Sequence, residues 1–262
     1  MNVFVFDIET VPDVATARRL WNLDELDDDG VAAVMYSKRQ QETGGANEFL
    51  RHHLHRVVAI SAVFREADRF NVWSLGSEES DEAELIRRFF EGVERYTPTL
   101  VSWNGGGFDL PVLHYRAMLH EIAAPRYWDT GEDDRDFRYN HYLGRFHWRH
   151  IDLMDVLAGY QARANVPLDQ MAVMLGFPGK LGMHGSEVWP QFRAGKLKSI
   201  RDYCETDVLN TYLIYLKFEF MRGHLSAREL AEEFERVRGF LRAHEAPHMS
   251  AFLAAWNPAH GG

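Results

Sequence analysis

Val3-Phe4-Val5-Phe6-Asp7-Ile8-Glu9-Thr10 places two carboxylates inside an otherwise apolar run, and this constrains the chain more than any other feature. Val3, Phe4, Val5, Phe6 and Ile8 read as a buried strand. Successive strand residues alternate faces, so Asp7 and Glu9 project from the same one. Two ionised carboxylates side by side at a strand end repel each other and lose hydration. A hard divalent cation compensates this, because it takes clustered oxygen ligands. The plainer alternative is a solvated strand end with two unremarkable acids, and the rest of the chain decides between them.

A hydrophobic fraction of 46%, with 17 Phe and 7 Trp, is ample for a sizeable core, and 262 residues allow one large α/β domain or one domain with appendages. No apolar run approaches the roughly 18 residues that span a membrane. The N-terminus enters a strand without a basic region or cleavage site, so no secretory signal is expected. Cys204 is the single cysteine, which rules out an internal disulfide and fits a reducing, cytoplasmic setting. A net charge of -10 argues against a nonspecific nucleic-acid coat but not against an enzyme that holds phosphates through bound metal.

In chain order, residues 11–56 read as a helical excursion broken at Gly44-Gly45. The acidic run 24–30 imitates a calcium loop. With Gly30 at loop position six, however, Tyr36 falls where a bidentate Glu is required, so a solvated helix start is expected. His52, His53 and His55 lack zinc-like partner spacing and read as a polar loop. Residues 57–64 and 69–75 are strands, and the short link between them predicts an antiparallel hairpin. A helix over 81–96 follows, with Leu85, Phe89 and Val93 on one face, then a strand over 99–103 and a helix over 110–120 with Pro111 in its first turn. The alternation is that of an α/β domain. Residues 125–148 read as a long loop or short hairpin, order resumes over 150–157, and 168–175 is a short helix closed by Gly176. Residues 180–186 form a second flexible segment. A long helix over 197–221 and an amphipathic tail helix over 227–242 complete the chain.

Three separated places therefore offer acids that can converge. Asp7 and Glu9 leave the first strand, Asp109 opens a helix after a glycine loop, and Tyr203 and Asp207 share one face of the long helix. Four carboxylates and a tyrosine suit phosphodiester hydrolysis by two ions about 3.5–4 Å apart. Asp152 and Asp155 can add to an acidic floor or simply cap a helix start. Trp103, Phe108 and Trp148 can stack on a splayed base or, for Trp103 especially, pack in the core. Lys180, Lys196 and Lys198 can meet a phosphate backbone or stay solvated.

Phe6-Asp7-Ile8-Glu9-Thr10, Trp103-Asn104-Gly105-Gly106-Gly107-Phe108-Asp109 and Tyr203-Cys204-Glu205-Thr206-Asp207 together resemble the three-motif signature of 3′–5′ exonucleases of the DEDD superfamily, tyrosine branch. They most resemble the proofreading domain of family B DNA polymerases and the stand-alone PolB-like predicted exonucleases. The likeness covers residues 1–220 or so, in the right order, and 262 residues leave no room for a polymerase palm or fingers. The resemblance implies an RNase H-like fold: a central mixed five-stranded sheet flanked by helices, over residues 1–222, with a helical extension over 223–262 packed on it. It further implies that Asp7, Glu9, Asp109 and Asp207 hold two divalent cations, Mg²⁺ or Mn²⁺, with Asp7 bridging them. Tyr203 would orient the nucleophilic water. Asn104, Gly105, Phe108 and Thr10 would meet the substrate, the glycines allowing close backbone approach. The excursion over 11–56 is longer than in polymerase proofreading domains.

The activity this implies is removal of nucleoside monophosphates from the 3′ end of single-stranded nucleic acid, DNA or RNA. Two rival readings are a catalytically silent nucleic-acid-binding module and a phosphodiesterase acting on oligoribonucleotides. Discrimination of DNA from RNA rests on contacts to the 2′-OH, which no motif reveals.

Overall fold

The computed structural model describes residues 1–256. At its centre a five-stranded sheet runs in the order β3-β2-β1-β4-β5. β1 (Asn2–Pro12) pairs antiparallel with β2 (His55–Glu66), and β2 with β3 (Arg69–Ser74). On its other edge β1 pairs in parallel with β4 (Thr99–Ser102), and β4 with β5 (His150–Asp152). The mixed sheet and the β2–β3 hairpin are as the sequence predicts.

Alternation along β1 sorts its side chains. Phe4, Phe6 and Ile8 face a core built with α3 (Glu82–Tyr96) and α4 (Asp109–Leu119), where Phe6 meets Phe89 edge-on at 5.0 Å. Val3 and Val5 face the opposite core, under the long helix α9 (Leu197–Met221). Asp7 and Glu9 continue this second face, next to α9. Each fully buried Phe, Leu or Val contributes about 1.5–3 kcal/mol, so both faces of β1 are fixed by burial. A one-residue slip would exchange the two faces.

The excursion holds α1 (Val14–Trp21) and α2 (Asp28–Glu42), and Asp27 caps α2 through the Gly30 N–H at 2.8 Å, the helix start expected there. The segment after α4 contains the short α5 (Pro125–Trp128) and one 3-10 turn, Arg135–Phe137, with no hairpin. Three further short helices, α6 (Leu153–Leu157), α7 (Leu168–Met174) and α8 (Val188–Arg193), lead into α9. α9 is buried on nearly all sides because the sheet covers one side and α7, α8, α10 (Ala227–Ala243) and α11 (Pro247–Ala255) cover the others.

β1, β2 and the tail differ from the sequence reading, and β2 runs His55–Glu66, so that His52–Leu54 is a 3-10 turn and His55 the first residue of the strand where a polar loop is expected. β1 extends to Pro12, because β2 is long enough to pair with it throughout, with one irregularity at Glu9/Thr10. The tail holds a second helix, α11, whose nine residues carry no polar face and so give no amphipathic signal.

Candidate active site

β4 stops early, and that creates the site. β1 and β4 pair only over Val3–Val5, so β1 projects beyond its parallel neighbour carrying Asp7 and Glu9 into a crevice at the strand's carboxyl end. The Ile8 N–H is taken there by the Asp109 carboxylate, whose Oδ1 accepts it at 3.1 Å. Asp109, the first residue of α4, thus closes the crevice from one side. Arg116 on the same helix, paired with both Glu82 and Asp13, ties α4 to α3 and to the end of β1.

α9 closes the other side with Tyr203, Cys204 and Asp207. Asp109 and Asp207 are 4% and 6% exposed, and Glu9 is 8% exposed. Burial and mutual repulsion act together on the four acids. Burial, then the charges of Asp109, Glu9 and Asp207, push the Asp7 carboxyl well above the usual carboxylate range. Glu9 rises for the same reasons, chiefly burial and the charges of Asp207 and Asp109. Burial lifts Asp109 to about 7 and Asp207 to about 6. Tyr203 sits one helical turn from Asp207 on the same face of α9, and burial followed by the neighbouring carboxylates holds its hydroxyl protonated. Lys180 is the cation facing Glu9 and Asp207, with Nζ 5.6 Å from the centre of the Tyr203 ring.

The donor set is one a hard divalent cation takes: carboxylate oxygens, clustered and stripped of water. Asp207 Oδ1 is buried with no hydrogen-bond partner, an unmet acceptor pointing to a cation. Asp7, Glu9 and Cys204 can bring one ligand atom each within 4.8 Å of one another. Asp7, Glu9, Asp109 and Asp207 therefore fit such ions. The Cys204 thiol donates to Asp7 Oδ2 at 3.4 Å, a contact with no signal in the sequence, where a lone cysteine speaks only to disulfide chemistry.

The second-motif loop is built by a different acid. Asp152 accepts the N–H groups of Asn104 and Gly106, both at 2.9 Å, and also caps α6. It holds Asn104 in a left-handed conformation, φ 66°, which an Asn tolerates better than most residues. The glycines also have an intramolecular reason. A Cβ on Gly105 would strike the Ser102 side chain, and one on Gly107 would lie 2.5 Å from Asn104 Oδ1. Gly105 is buried beneath the loop, so the outer surface of the motif belongs to Asn104, Gly106, Gly107 and Phe108.

Phe108 packs edge-on against His55 and the half-exposed Phe49, both from the excursion or its exit. Thr10 Oγ1 lies 2.8 Å from His55 Nδ1, and His52 Nε2 2.8 Å from the Gly107 carbonyl oxygen. The histidine group is thus a polar support for the motif loop. On the loop's other side a 440 Å³ cleft is bordered by Asn104, Gly106, Arg145, His150 and Asp152.

The remaining sequence candidates have partners within the chain. Asp155 is paired with Arg145, Lys198 with Asp202, and Trp148 stacks on Phe218 beneath Arg222. Trp103 is half-buried and donates its indole N–H to Val166.

Residues 47–256 match the family described as "Predicted 3'-5' exonuclease related to the exonuclease domain of PolB". Asp7 and Glu9 precede the matched span and are brought against it by the sheet. The chain is also similar to the catalytic polypeptide of DNA polymerase epsilon from three organisms. For Saccharomyces cerevisiae the identity is 27% over 152 residues, for Schizosaccharomyces pombe 26% over 148, and for Arabidopsis thaliana 24% over 143. Each match takes in 53% of this chain and only 6% of the polymerase polypeptide, so the likeness concerns one small part of those proteins.

Proposed function

We propose that this chain, which belongs to the family of predicted 3′–5′ exonucleases related to the exonuclease domain of PolB and is itself a 3′–5′ exonuclease, trims single-stranded 3′ ends with the help of two divalent cations held by Asp7, Glu9, Asp109 and Asp207. The observation that supports the reading is the convergence of these four acids, Glu9, Asp109 and Asp207 among them buried, from three elements, with Asp207 Oδ1 left unpaired.

Asp7, Glu9, Asp109 and Asp207 would hold the ions, Asp109 while it accepts the Ile8 amide. Bound there, the ions lower the pKa of the attacking water and neutralise charge on the oxygen that departs. Tyr203 orients the water through its hydroxyl. The water oxygen forms a bond to phosphorus, the P–O3′ bond breaks, and a proton passes to the 3′ oxygen of the shortened strand. The products are a nucleoside 5′-monophosphate and a new 3′ hydroxyl. Asn104 and Phe108 grip the terminal nucleotide, and Lys180 approaches the phosphate.

Matched 5′-labelled DNA and RNA oligomers, digested with Mg²⁺ or Mn²⁺ and with chelator, test this. A ladder that shortens from the 3′ end, requires metal and stops at a blocked 3′ terminus is expected. Internal cuts, shortening from the 5′ end or full activity in chelator would refute it, and the DNA arm against the RNA arm reads the sugar preference.

Tyr203→Phe separates the hydroxyl from the ring. Turnover is expected to fall about 100-fold, the lower range for a group that manages a nucleophile's proton and position. Manganese affinity in calorimetry should stay within a factor of two or so of wild type, because the carboxylates remain. A large loss of manganese affinity would instead make the hydroxyl part of the ligand shell.

A further inference from the structure

Beneath α9 the sheet carries a polar row that the catalytic residues do not need for themselves. Asp7, Ser61 and Ser74 are direct neighbours across β1, β2 and β3. The Ser61 and Ser74 hydroxyls are 2.8 Å apart, and Ser74 donates to Glu205 Oε1 at 2.7 Å. A hydroxyl has one proton, so Ser74 accepts from Ser61, and both serines point their donors along the row toward Glu205. The other carboxylate oxygen of Glu205 lies 2.8 Å from His248 Nε2 on α11, and His248 Nδ1 lies 3.3 Å from Asp202 Oδ1. Beside Glu205, Cys204 reaches Asp7 at 3.4 Å. Ser61 is fully buried and Ser74 is 5% exposed; one turn from Glu205, Arg201 of α9 adds a second polar tie, its guanidinium donating to the Ser74 and Leu75 carbonyl oxygens.

We propose that Glu205, clamped from outside by His248, is a positioning residue that fixes the rotation and height of α9 on the sheet and so aims Tyr203 and Asp207 at Asp7 and Glu9. This rests on the assignment of Tyr203 and Asp207 to the reaction. An apolar helix–sheet contact tolerates small slides at low cost, whereas a buried polar row is satisfied in one register only. Moving α9 by one residue means about 1.5 Å of translation and 100° of rotation, which would strand the Ser74 donor and swing Asp207 out of the acid cluster. Tyr203 and Asp207 sit two residues to either side of Glu205, so its register is theirs. The C-terminal helices thereby acquire a role in the site although none of their residues reaches it.

Four variants test this: Glu205→Ala, Glu205→Gln, His248→Ala and Val237→Ala, the last a packing change on α10. Each is assayed for kcat and KM on a labelled oligomer, for Mn²⁺ affinity by electron paramagnetic resonance and for melting temperature. Glu205→Ala is expected to lower kcat and Mn²⁺ affinity about 10- to 100-fold, the range for groups that orient metal ligands, with KM little changed. Glu205→Gln keeps an acceptor for Ser74 and should restore both to within about threefold, and His248→Ala should fall between. Val237→Ala should melt lower yet keep wild-type kcat and Mn²⁺ affinity. Wild-type kcat and Mn²⁺ affinity in Glu205→Ala, or a Gln variant as impaired as the Ala one, would overturn the proposal. Should Glu205→Ala not fold, His248→Ala decides: a loss with melting preserved supports it, and wild-type values overturn it. A wild-type chain that binds Mn²⁺ in a Glu205-dependent way but digests nothing would refute the exonuclease reading and leave standing only the placement of Asp207 by Glu205.

Discussion

Replacing Asp7 by alanine is expected to lower hydrolysis of a 5′-labelled oligomer by about 10³-fold or more, the scale on which members of one catalytic unit fail, while the protein stays folded. Asp7 lies where three other carboxylates and the Cys204 thiol converge, so its loss removes the carboxylate at the centre of the cluster. Stability should not suffer, because in the metal-free protein the residue costs free energy: its charge is buried and repelled from three directions. Circular dichroism and melting read the fold, and a labelled-strand time course reads the rate. Retention of more than a few per cent of activity in a folded Asp7→Ala chain would remove Asp7 from the centre of the site.

The second large effect is on stability, and its sign follows from the direction of the pKa shifts. Asp7, Glu9, Asp109 and Asp207 all titrate higher in the folded chain than in the unfolded one. The native state therefore binds more protons, and stability falls as pH rises. For Asp207 the loss spans the interval from its ordinary 3.8 to about 6, and for Asp109 from 3.8 to about 7. Below pH 4 or so that contribution is fully present, and above 7 it is gone. A carboxyl moved as far as Asp109 carries about 4 kcal/mol, of the order of 10 °C in melting temperature for a chain of this size. Melting with chelator should accordingly drop between pH 5 and pH 8. Manganese should oppose that trend, since the ligands bind it deprotonated and its stabilisation grows with pH. Asp207→Asn should melt above wild type in chelator at pH 8 and below wild type in millimolar manganese. If Asp207→Asn is less stable in both conditions, Asp207 is a structural partner of a cation in the fold and does not belong to the acid cluster.

The acids of the site were legible because chemistry made them anomalous. A carboxylate pair in an apolar strand and a tyrosine four residues before an aspartate have no packing reason, and the ordered motifs joined them. α9 was legible to its end residues because twenty-five residues without Gly or Pro leave little alternative. What the sequence hid was support that depends on contacts between distant residues. Asp152 grips the Asn104 loop from 48 positions away, and nothing near it in sequence advertises that. At Gly105 the Ser102 side chain leaves no room for a Cβ, a packing reason that the motif itself does not reveal. Ser61 and Ser74 are ordinary strand residues until register places them beside Asp7, and α11 lacks the amphipathic period by which a helix is recognised.

Counting ions is the most direct measurement of the site. Calorimetric titration of Mn²⁺ into the wild-type chain with a nucleoside monophosphate present should give two ions per chain, and the Asp7→Asn chain should retain none at comparable affinity. Binding in Asp7→Asn that matches the wild type, or a wild-type chain that takes up no manganese while it digests a labelled 3′ end, would contradict the four-carboxylate site.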